Sequence, residues 1–442
     1  MQLFFGGARG RSGAQPTDQT AGARAIAQRS RSTEARRRRA WFSVHRWLGI
    51  GLGAWFALVG ITGSLLVFEE PIDAWLNPKL LTSRETTHWL APEQLLQQVE
   101  SEHALGRVEQ LKPPVAPGDV YRVIFRTQPN KRSGAQRVEA MFAPASGTLL
   151  GTRPTEQLGL APPQLMKSIY EFHRNVLLGE AGSNIVGIAG FLLLGSAITG
   201  GVVAFPRRAR EWRRLVHINV GASITRILFD LHRSLGALAV LLLLLATLTG
   251  ATLVYLNYVR DAVNVFSPVK SFPLVPFSRG PVAESVTFAR IVAKVRTAYP
   301  QQTIVDIHMP FRQTGGYLFY MKQPGDEHRS GDTIAWVDPL SAEILVERSD
   351  RTRTAGETLM HWLFPLHSGT AFGTAGMIAM CVTGLTPIVL VFTGLWVWLR
   401  KRRGQKIGER RRTARSAPAS PAMAAKMPQS STSSGEDRRL PA

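Results

Sequence analysis

Four long apolar segments limit the folds that are open to this chain. Each has about 20 residues or more and almost no charged side chain, which is enough for an α-helix to cross a hydrocarbon layer of about 30 Å. Arg or Lys borders each segment at one end. A buried helix of a soluble protein is the alternative, but four such segments favour a membrane protein with a transmembrane four-helix bundle. They are residues 47–68, 185–205, 234–256 and 371–399.

The charges indicate how these helices are oriented. Residues 1–46, 206–233 and 400–442 together hold 29 Lys and Arg but only 7 Asp and Glu, so they account for the whole formal charge of +22. Basic flanks of membrane helices remain in the cytoplasm. We therefore expect cytoplasmic termini, external segments at about 70–180 and 257–370, contact with anionic lipid and no nucleic-acid binding.

The ends of the chain and its cysteine content narrow the class further. The polar, Arg-rich start shows no cleavable signal peptide, and we expect both ends of the chain to be disordered. The lone cysteine, Cys381, lies in the fourth apolar segment. It allows no intramolecular disulfide, and the chain has no Cys-x-x-Cys-His motif for covalent haem.

The chain repeats itself. FSVHRWLGIGLGAWFALVGITGSLLVF (42–68) and FDLHRSLGALAVLLLLLATLTGATLVY (229–255) align at an offset of 187, with His-Arg near the start and Thr-Gly near the end. The segments at 172–200 and 366–394 align at an offset of 194, and both also end in Thr-Gly. The repeated unit is a helix, an external domain and a second helix. Parallel repeats favour two halves related by an axis along the membrane normal.

The external segments resemble each other more weakly. Residues 108–151 and 304–347 each contain alternating strand-like runs separated by a turn, and a helical stretch precedes each of them. We expect two small α+β domains. The predicted order is a disordered basic tail at 1–40, transmembrane helix 1 at 41–70, external domain 1 at 71–165, an outer amphipathic stretch with transmembrane helix 2 at 166–206, a cytoplasmic basic loop at 207–230, transmembrane helix 3 at 231–257, external domain 2 at 258–360, transmembrane helix 4 at 361–401 and a disordered basic tail at 402–442.

Four of the ten histidines occupy equivalent repeat positions. His45 and His232 begin helices 1 and 3 on the cytoplasmic side, and His173 and His367 precede helices 2 and 4 on the outer side. An ionisable group near the membrane is a functional hypothesis by default. The alternative is that they are interfacial residues that meet lipid headgroups. Zinc is disfavoured, since no two of the four have i, i+3 or i, i+4 spacing.

Two facing imidazoles in a helical bundle without cysteine suit the axial ligation of b-type haem. The arginines that follow three of the histidines, Arg46, Arg174 and Arg233, can pair with haem propionates. His361 and His217 are reserve ligands. Small residues leave room for a flat ring, and the nearby glycines are Gly49, Gly53, Gly179, Gly182 and Gly236. The simplest reading of His88, His103, His308 and His328 is as surface residues.

Together these motifs resemble the PepSY-associated transmembrane helix family over about residues 40–403. The elements are His-Arg-x-x-Gly opening a helix that ends in Thr-Gly-x-Leu-x-x-Phe, FHRNVLLG at 172–179 and ITGGVVAFPRR at 198–208. The resemblance implies two PepSY-like periplasmic domains and two haems b that carry electrons across the bacterial inner membrane. The family includes iron-regulated membrane proteins and ferrisiderophore reductases. Ser368 departs from its pattern, because the other three histidines are followed by Arg, and so does FAPASG in the first domain, where the second has WVDPLS.

The expected function is reduction of a ferric siderophore or another periplasmic acceptor. An electron would pass from an inner haem on His45 and His232 to an outer haem on His173 and His367. No nucleotide-binding fingerprint is present, so quinol or a partner protein must supply the electron. The sequence identifies no catalytic residue. Two rival hypotheses are a PepSY-domain binding or regulatory protein without a redox cofactor and a transporter of iron chelates.

Overall fold

The structure, a computed structural model, describes residues 18–102, 105–128, 135–206, 212–269, 286–310, 315–326 and 331–416. Its helices and strands follow one another in a similar order twice. The first half comprises α1 (Asp18–Val67), α2 (Glu69–Leu76), α3 (Pro78–Leu81), α4 (Pro92–Glu102), β1 (Arg107–Lys112), β2 (Tyr121–Arg126), β3 (Arg137–Phe142), β4 (Leu149–Pro154), α5 (Pro162–Asn175) and α6 (Gly179–Ala204). The second comprises α7 (Arg213–Val216), α8 (Ile224–Val254), α9 (Leu256–Asn264), α10 (Phe288–Ala298), β5 (Thr303–His308), β6 (Tyr317–Lys322), β7 (Thr333–Val337), β8 (Ile344–Arg348), α11 (Ala355–Ser368), a 3₁₀ turn (Thr370–Phe372) and α12 (Gly373–Ser416).

Four helices are long and apolar enough to cross a membrane, which confirms the predicted number of spans. They are α1, α6, α8 and α12. In the bundle α1 packs against α12 and α6, and α8 packs against the same two helices. Helices α1 and α8 are therefore diagonal to each other. This arrangement determines the site, because α1 carries His45 and α8 carries His232.

Small residues let α1 and α12 cross closely. A Cβ on Gly60 would lie 2.1 Å from the backbone oxygen of Gly384, and a Cβ on Gly384 would lie 2.4 Å from Oγ of Ser64. The Ser64 hydroxyl donates to the carbonyls of Gly60 at 2.9 Å and Cys381 at 2.8 Å. The crossing thus combines backbone contact with a hydrogen bond between helices, as membrane helix pairs commonly do.

Pro387 lies inside α12, yet the helix continues without a break. A proline has no N–H, so the carbonyl four residues earlier, on Thr383, loses its helical donor. The Thr386 hydroxyl donates to that carbonyl at 2.7 Å. This side-chain hydrogen bond satisfies the freed carbonyl, which would otherwise be costly in hydrocarbon.

The strands of the two predicted external domains form one continuous sheet. All eight strands are antiparallel in the order β4-β3-β2-β1-β5-β6-β7-β8. Gln110 pairs with His308 and Leu111 with Ile307 where β1 meets β5. The two β-meanders thus join through their first strands, whose exposed edges are covered by this pairing.

One hydrophobic core spans both halves of the sheet. Helices α4 and α10 cover one face, and their buried residues Leu95, Val99, Ile291 and Val295 are at most 1% exposed. They pack on alternating strand residues, as a one-sided antiparallel sheet requires. Strands β1 and β5 each have a register shift at the same relative place, between Val108 and Gln110 and between Ile304 and Asp306. The strand residues of this core include Leu111, Val123, Phe125, Phe142, Ile307, Phe319 and Met321.

The opposite face of the sheet is polar and connects to the helices. Arg153 of β4 pairs with Asp73 of α2 at 2.8 Å and with Glu139 of β3 at 2.7 Å. Arg122 of β2 pairs with Glu139 at 2.6 Å. The two arginines outweigh the effect of burial and lower the pKa of Glu139 to about 2. This network fixes α2, which directly follows α1, to the first edge of the sheet.

Helical structure extends into both segments that were predicted as disordered tails. Helix α1 begins at Asp18 and α12 ends at Ser416. Arg, a strong helix former, is frequent in both extensions, and each extension continues a membrane helix that has already nucleated. Residues 1–17 and 417–442 lie outside the described residues.

Gly60→Ala tests the crossing of α1 and α12. The new Cβ meets the Gly384 backbone, so the helices must separate, and we expect a loss of about 1–3 kcal/mol of unfolding free energy. Thermal unfolding of the purified protein measures it. Gly51→Ala in the same helix is the matched control, because nothing lies within 4 Å of its Cβ. Equal melting temperatures of the two variants would contradict a close crossing.

Glu139→Gln tests the polar network. The folded pKa is about 2, below the ordinary value, so the charged Glu139 stabilises the fold above about pH 4.5 and this contribution is lost as the pH falls towards 2. We expect a loss of about 3–5 kcal/mol at pH 7. The difference in melting temperature between wild type and variant should shrink on acidification. A difference that stays constant from pH 7 to pH 3 would contradict the assignment.

Candidate histidine sites

The structure brings the four repeat histidines together as two pairs. His45 of α1 and His232 of α8 have ring centroids 6.2 Å apart with an interplanar angle of 71°. His173, in the last turn of α5, and His367, in the last turn of α11, have centroids 6.3 Å apart at 45°. We call the first the terminal pair, since it lies at the end of the bundle from which α1 and α12 continue towards the chain termini, and the second the sheet-side pair.

Each imidazole is held by a backbone carbonyl of a neighbouring membrane helix. The ring nitrogen is Nδ1 in all four cases. A carbonyl oxygen only accepts, so Nδ1 carries the proton and Nε2 keeps its lone pair. The contacts are His45 to Ser196 at 3.0 Å, His173 to Val59 at 3.1 Å, His232 to Leu390 at 2.9 Å and His367 to Ala246 at 3.0 Å.

A threonine three residues after the residue that supplies each carbonyl also contacts the imidazole Nδ1. Its hydroxyl donates to a carbonyl of its own helix, as Thr199 does to Ser196 at 3.0 Å, so its oxygen can accept from the imidazole. Both acceptors thus fix the same tautomer. The distances from Oγ1 to Nδ1 are 3.4 Å for Thr199 and His45, 3.1 Å for Thr62 and His173, 3.0 Å for Thr393 and His232 and 3.2 Å for Thr249 and His367.

The glycine after each threonine lies under the ring. A Cβ at any of the four positions would come within 3.1 Å of the imidazole carbon Cε1. The pairs are Gly200 and His45 at 2.9 Å, Gly63 and His173 at 2.9 Å, Gly394 and His232 at 3.1 Å and Gly250 and His367 at 2.8 Å. The Thr-Gly dipeptides of the repeat are therefore histidine seats. The sequence contains this signal, because each Thr-Gly recurs in a repeat that also carries a histidine, but the repeat alone does not show that each Thr-Gly contacts a histidine of another helix.

The glycines predicted to leave room for a flat ring fall into two groups. Gly49 has nothing within 4 Å of its Cβ position, and Gly236 has only a Leu390 methyl at 3.7 Å. Both follow a histidine of the terminal pair by one helical turn. Gly53 and Gly182 instead allow close packing, since a Cβ would lie 2.9 Å from Val391 and 1.7 Å from the Asn175 carbonyl. Gly179 has φ +59° and open space around it.

The ring separations allow one metal atom within each pair. A metal lies about 2 Å from an imidazole nitrogen, and the nitrogen lies about 1 Å from its ring centre, so two axial imidazoles have centroids about 6 Å apart. The observed values are 6.2 and 6.3 Å. No group of three or more His, Cys, Asp and Glu that could hold a metal exists among the described residues. Two protein ligands leave the positions around the metal to another molecule.

Burial keeps the sheet-side pair neutral. It lowers the pKa of His173 to about 4, with the nearby His367 adding to the effect and the Val59 carbonyl opposing it. Burial also lowers the pKa of His367. Both rings are therefore uncharged at neutral pH, which is the form that binds a metal.

The two pairs are separated along α1. His45 belongs to this helix, while His173 is seated against Val59, Thr62 and Gly63 of the same helix. An offset of 14 to 18 residues corresponds to about 21–27 Å at 1.5 Å per residue. The pairs thus occupy opposite ends of one bundle, close to its two surfaces.

Arg46 and Arg233 lie beside the terminal pair, and both Nε atoms are buried without a hydrogen-bond partner among the described residues. Arg46 donates to Ser43 Oγ at 3.4 Å. Arg233 is more fully engaged, with Asp230 at 3.2 Å and the His217 carbonyl at 3.1 Å. Each arginine thus has one buried N–H that makes no hydrogen bond among the described residues.

The sheet-side pair has less cationic support. The Arg174 side chain is 56% exposed and lies 3.8 Å from Glu171. Ser368 donates to the Phe364 carbonyl at 3.0 Å and supplies no charge. The structure therefore gives the two ends of the bundle different electrostatic environments.

The reserve ligands lie apart from the pairs. His361 Nε2 is 3.3 Å from Asp332 Oδ1, so this side chain faces β7. His217 is exposed, and it contacts Arg233 through its backbone carbonyl. Of the histidines predicted at the surface, His88 is exposed, but His308 lies 3.6 Å from Asp306 on the polar face of the sheet. His103 and His328 lie outside the described residues.

Helices α5 and α11 meet at the sheet-side pair and reach opposite edges of the sheet. Arg153 of β4 donates to the Pro163 carbonyl at the start of α5, at 3.5 Å. Arg348 of β8 contacts Glu357 near the start of α11 at 3.5 Å. Eight strands span about 34 Å between edges at about 4.8 Å per strand. The two helices therefore diverge from the histidines towards the two edges of the sheet.

Comparison with known proteins agrees with the resemblance seen in the sequence. The model of the PepSY-associated TM region family matches residues 42–401. None of the curated proteins matches the chain.

Gly200→Leu tests the histidine seat. The new side chain displaces the His45 ring and breaks its contact with Ser196, so we expect a loss of about 1–3 kcal/mol and faster modification of His45 by diethyl pyrocarbonate, read by mass spectrometry. Gly195→Leu is the control in the same helix, since nothing lies within 4 Å of that Cβ position. Unchanged reactivity of His45 in Gly200→Leu would be incompatible with the seat.

Proposed function

The chain belongs to the PepSY-associated TM region family, and from its histidine pairs we propose that it is a di-haem b electron-transfer protein that reduces ferric siderophores. The observation that carries the proposal is the geometry of the pairs. Two imidazoles whose Nε2 atoms form no hydrogen bond among the described residues, with centroids 6.2 or 6.3 Å apart, would hold the iron of a haem. No third protein ligand is needed.

Other features of the site fit this group. The open space at Gly49 suits a flat ring, and the buried Nε atoms of Arg46 and Arg233 suit its carboxylates. When bound, haem supplies reversible one-electron chemistry at its iron. His45 and His232 would hold one haem, and His173 and His367 the other. The carbonyl and threonine behind each ring orient it and raise its basicity as a ligand.

We place the protein in the bacterial inner membrane with both termini in the cytoplasm. In the sequence, the basic segments at 1–46, 206–233 and 400–442 directly flank the membrane helices, and such segments stay inside. The sheet then lies in the periplasm, and its two halves are PepSY-like units. Matching element order and matching bulges in β1 and β5 support an internal duplication.

In this proposal the acceptor binds on the sheet side of the bundle, between the sheet-side pair and the polar face of the sheet. His173 and His367 lie at this end of the bundle, and polar residues such as Arg122 and Glu139 line that face of the sheet, which suits a water-soluble chelate. Adding one electron to ferric iron gives ferrous iron of lower charge, which oxygen ligands hold less strongly. The continuous α1, α6, α8 and α12 do not favour the transporter hypothesis, which requires discontinuous helices.

Absorption spectra with a haem count test the proposal. Protein produced with ample haem should show a b-type spectrum that changes on dithionite reduction and contain two haems per chain. His45→Ala and His173→Ala should each contain about one, since each removes one axial ligand. His217→Ala and His88→Ala, at exposed histidines, should retain two. A purified protein without a Soret band would overturn the proposal.

The acceptor is tested with a ferric hydroxamate chelate. Mixed with the prereduced protein, it should reoxidise the haem and release ferrous iron to a ferrous-specific chelator. His173→Ala should slow this reaction, whereas its remaining haem should still be reduced by dithionite. If wild type and variant reacted at the same rate, the acceptor would not receive electrons from the sheet-side pair.

A further inference from the structure

Helices α1 and α12 leave the bundle side by side at the terminal pair. Lys401 of α12 lies over the Phe42 ring of α1 at 6.0 Å and over the Phe229 ring of α8 at 5.7 Å. Arg400 and Arg402 lie over Trp396 and Trp398 at 5.3 and 5.2 Å. Aromatic rings with cations above them are typical of a membrane interface. This level therefore marks where the two helices enter water.

Beyond this level both helices carry exposed positive charge, in segments that we call the basic extensions. The extension of α1 contains four consecutive arginines, and that of α12 contains basic residues on successive turns. None of these side chains forms an ion pair with an acidic side chain among the described residues. They are Arg36, Arg37, Arg38 and Arg39 in α1 and Arg403, Lys406, Arg410 and Arg411 in α12.

Anionic lipid can neutralise only the basic residues that lie close to the membrane surface. Arg410 and Arg411 follow the last apolar residue of the span, Leu399, by 11 and 12 residues, or about 17 Å of helix. The headgroup layer adds only about 5–7 Å beyond the hydrocarbon, and the Debye length is about 8 Å at physiological salt. A lipid-binding basic segment lies along the surface, whereas α12 continues unbroken to Ser416.

Like charges repel one another along the far part of α12. Arg402 and Lys406, and then Lys406 and Arg410, are like charges at i, i+4 spacing, which destabilises a helix by about 0.2–0.5 kcal/mol per pair. Glu409 is the sole acidic residue between 400 and 416. A polyanionic partner would remove this repulsion. The extension of α12 contains no aromatic residue after Trp398, so it lacks the stacking surfaces of single-strand nucleic-acid binders.

We propose that the basic extensions bind an acidic soluble electron-carrier protein. The inference rests on the proposed function, which requires an electron donor at the terminal pair. Arg39 precedes His45 by six residues, or about 9 Å of helix, so a partner held there is close to the acceptor of its electron. The partner is oxidised by one electron and this protein is reduced by one, and no proton or group is transferred.

Binding of a reduced flavodoxin, an acidic flavin-carrying protein, tests the inference. The full chain in phosphatidylcholine nanodiscs is compared with the variant K406E/R410E/R411E. We expect at least about tenfold weaker binding by the variant at low salt, and wild-type binding that weakens steeply from about 50 to about 200 mM salt. The control is K79E/R290E/K294E, which changes the net charge equally at exposed positions on the sheet side and should bind like wild type.

Three results would overturn the inference. The first is equal flavodoxin binding by wild type and K406E/R410E/R411E. The second is an equal loss of flavodoxin binding in K79E/R290E/K294E. The third is a K406E/R410E/R411E variant that still binds flavodoxin but no longer binds phosphatidylglycerol vesicles or duplex DNA. Haem content is measured in the same preparations. Two haems in a variant that no longer binds flavodoxin support the docking surface, whereas absence of haem from every preparation would count against the proposed function itself.

Discussion

The hydrogen bond from imidazole Nδ1 to a helix carbonyl is the interaction on which the rest of the site depends. The carbonyl of a membrane helix is already engaged within its helix, so it accepts a second donor only where the neighbouring surface is open. Glycine provides that opening. Gly63 lets the His173 ring approach Val59, and Gly200 lets His45 approach Ser196. The same seat occurs four times, so both pairs present Nε2 in the same way.

The fold sets the spacing of the two pairs. Helices α1 and α8 are diagonal in the bundle, and each carries one histidine of the terminal pair and seats one histidine of the sheet-side pair. The close crossing at Gly60 and Gly384 fixes α12 against α1. The sheet contributes from outside the bundle, since its two edges contact α5 and α11, which carry His173 and His367.

The sequence predicted the four membrane helices and identified the four histidines at equivalent repeat positions. It did not predict most of the contacts that these histidines make. Hydropathy depends on local composition, so the spans were accessible from the sequence. The repeat identified equivalent histidines because the halves have similar sequences. The role of Thr62 and Gly63 required knowing that α5 returns to α1, which is a tertiary contact. The pairing of Gln110 with His308 joins strands about 200 residues apart, and no local pattern predicts it. The helical extensions of α1 and α12 do not follow from their polar composition, which is also typical of disordered segments.

A cryo-electron microscopy map of the purified protein in nanodiscs tests the central claim most directly. The account predicts a planar density between the rings of His45 and His232, a second one between His173 and His367, and an offset of about 21–27 Å along α1 between the two. Nδ1 of each ring should face its carbonyl. Paired rings with no density between them, or histidines turned away from their Thr-Gly seats, would contradict the account.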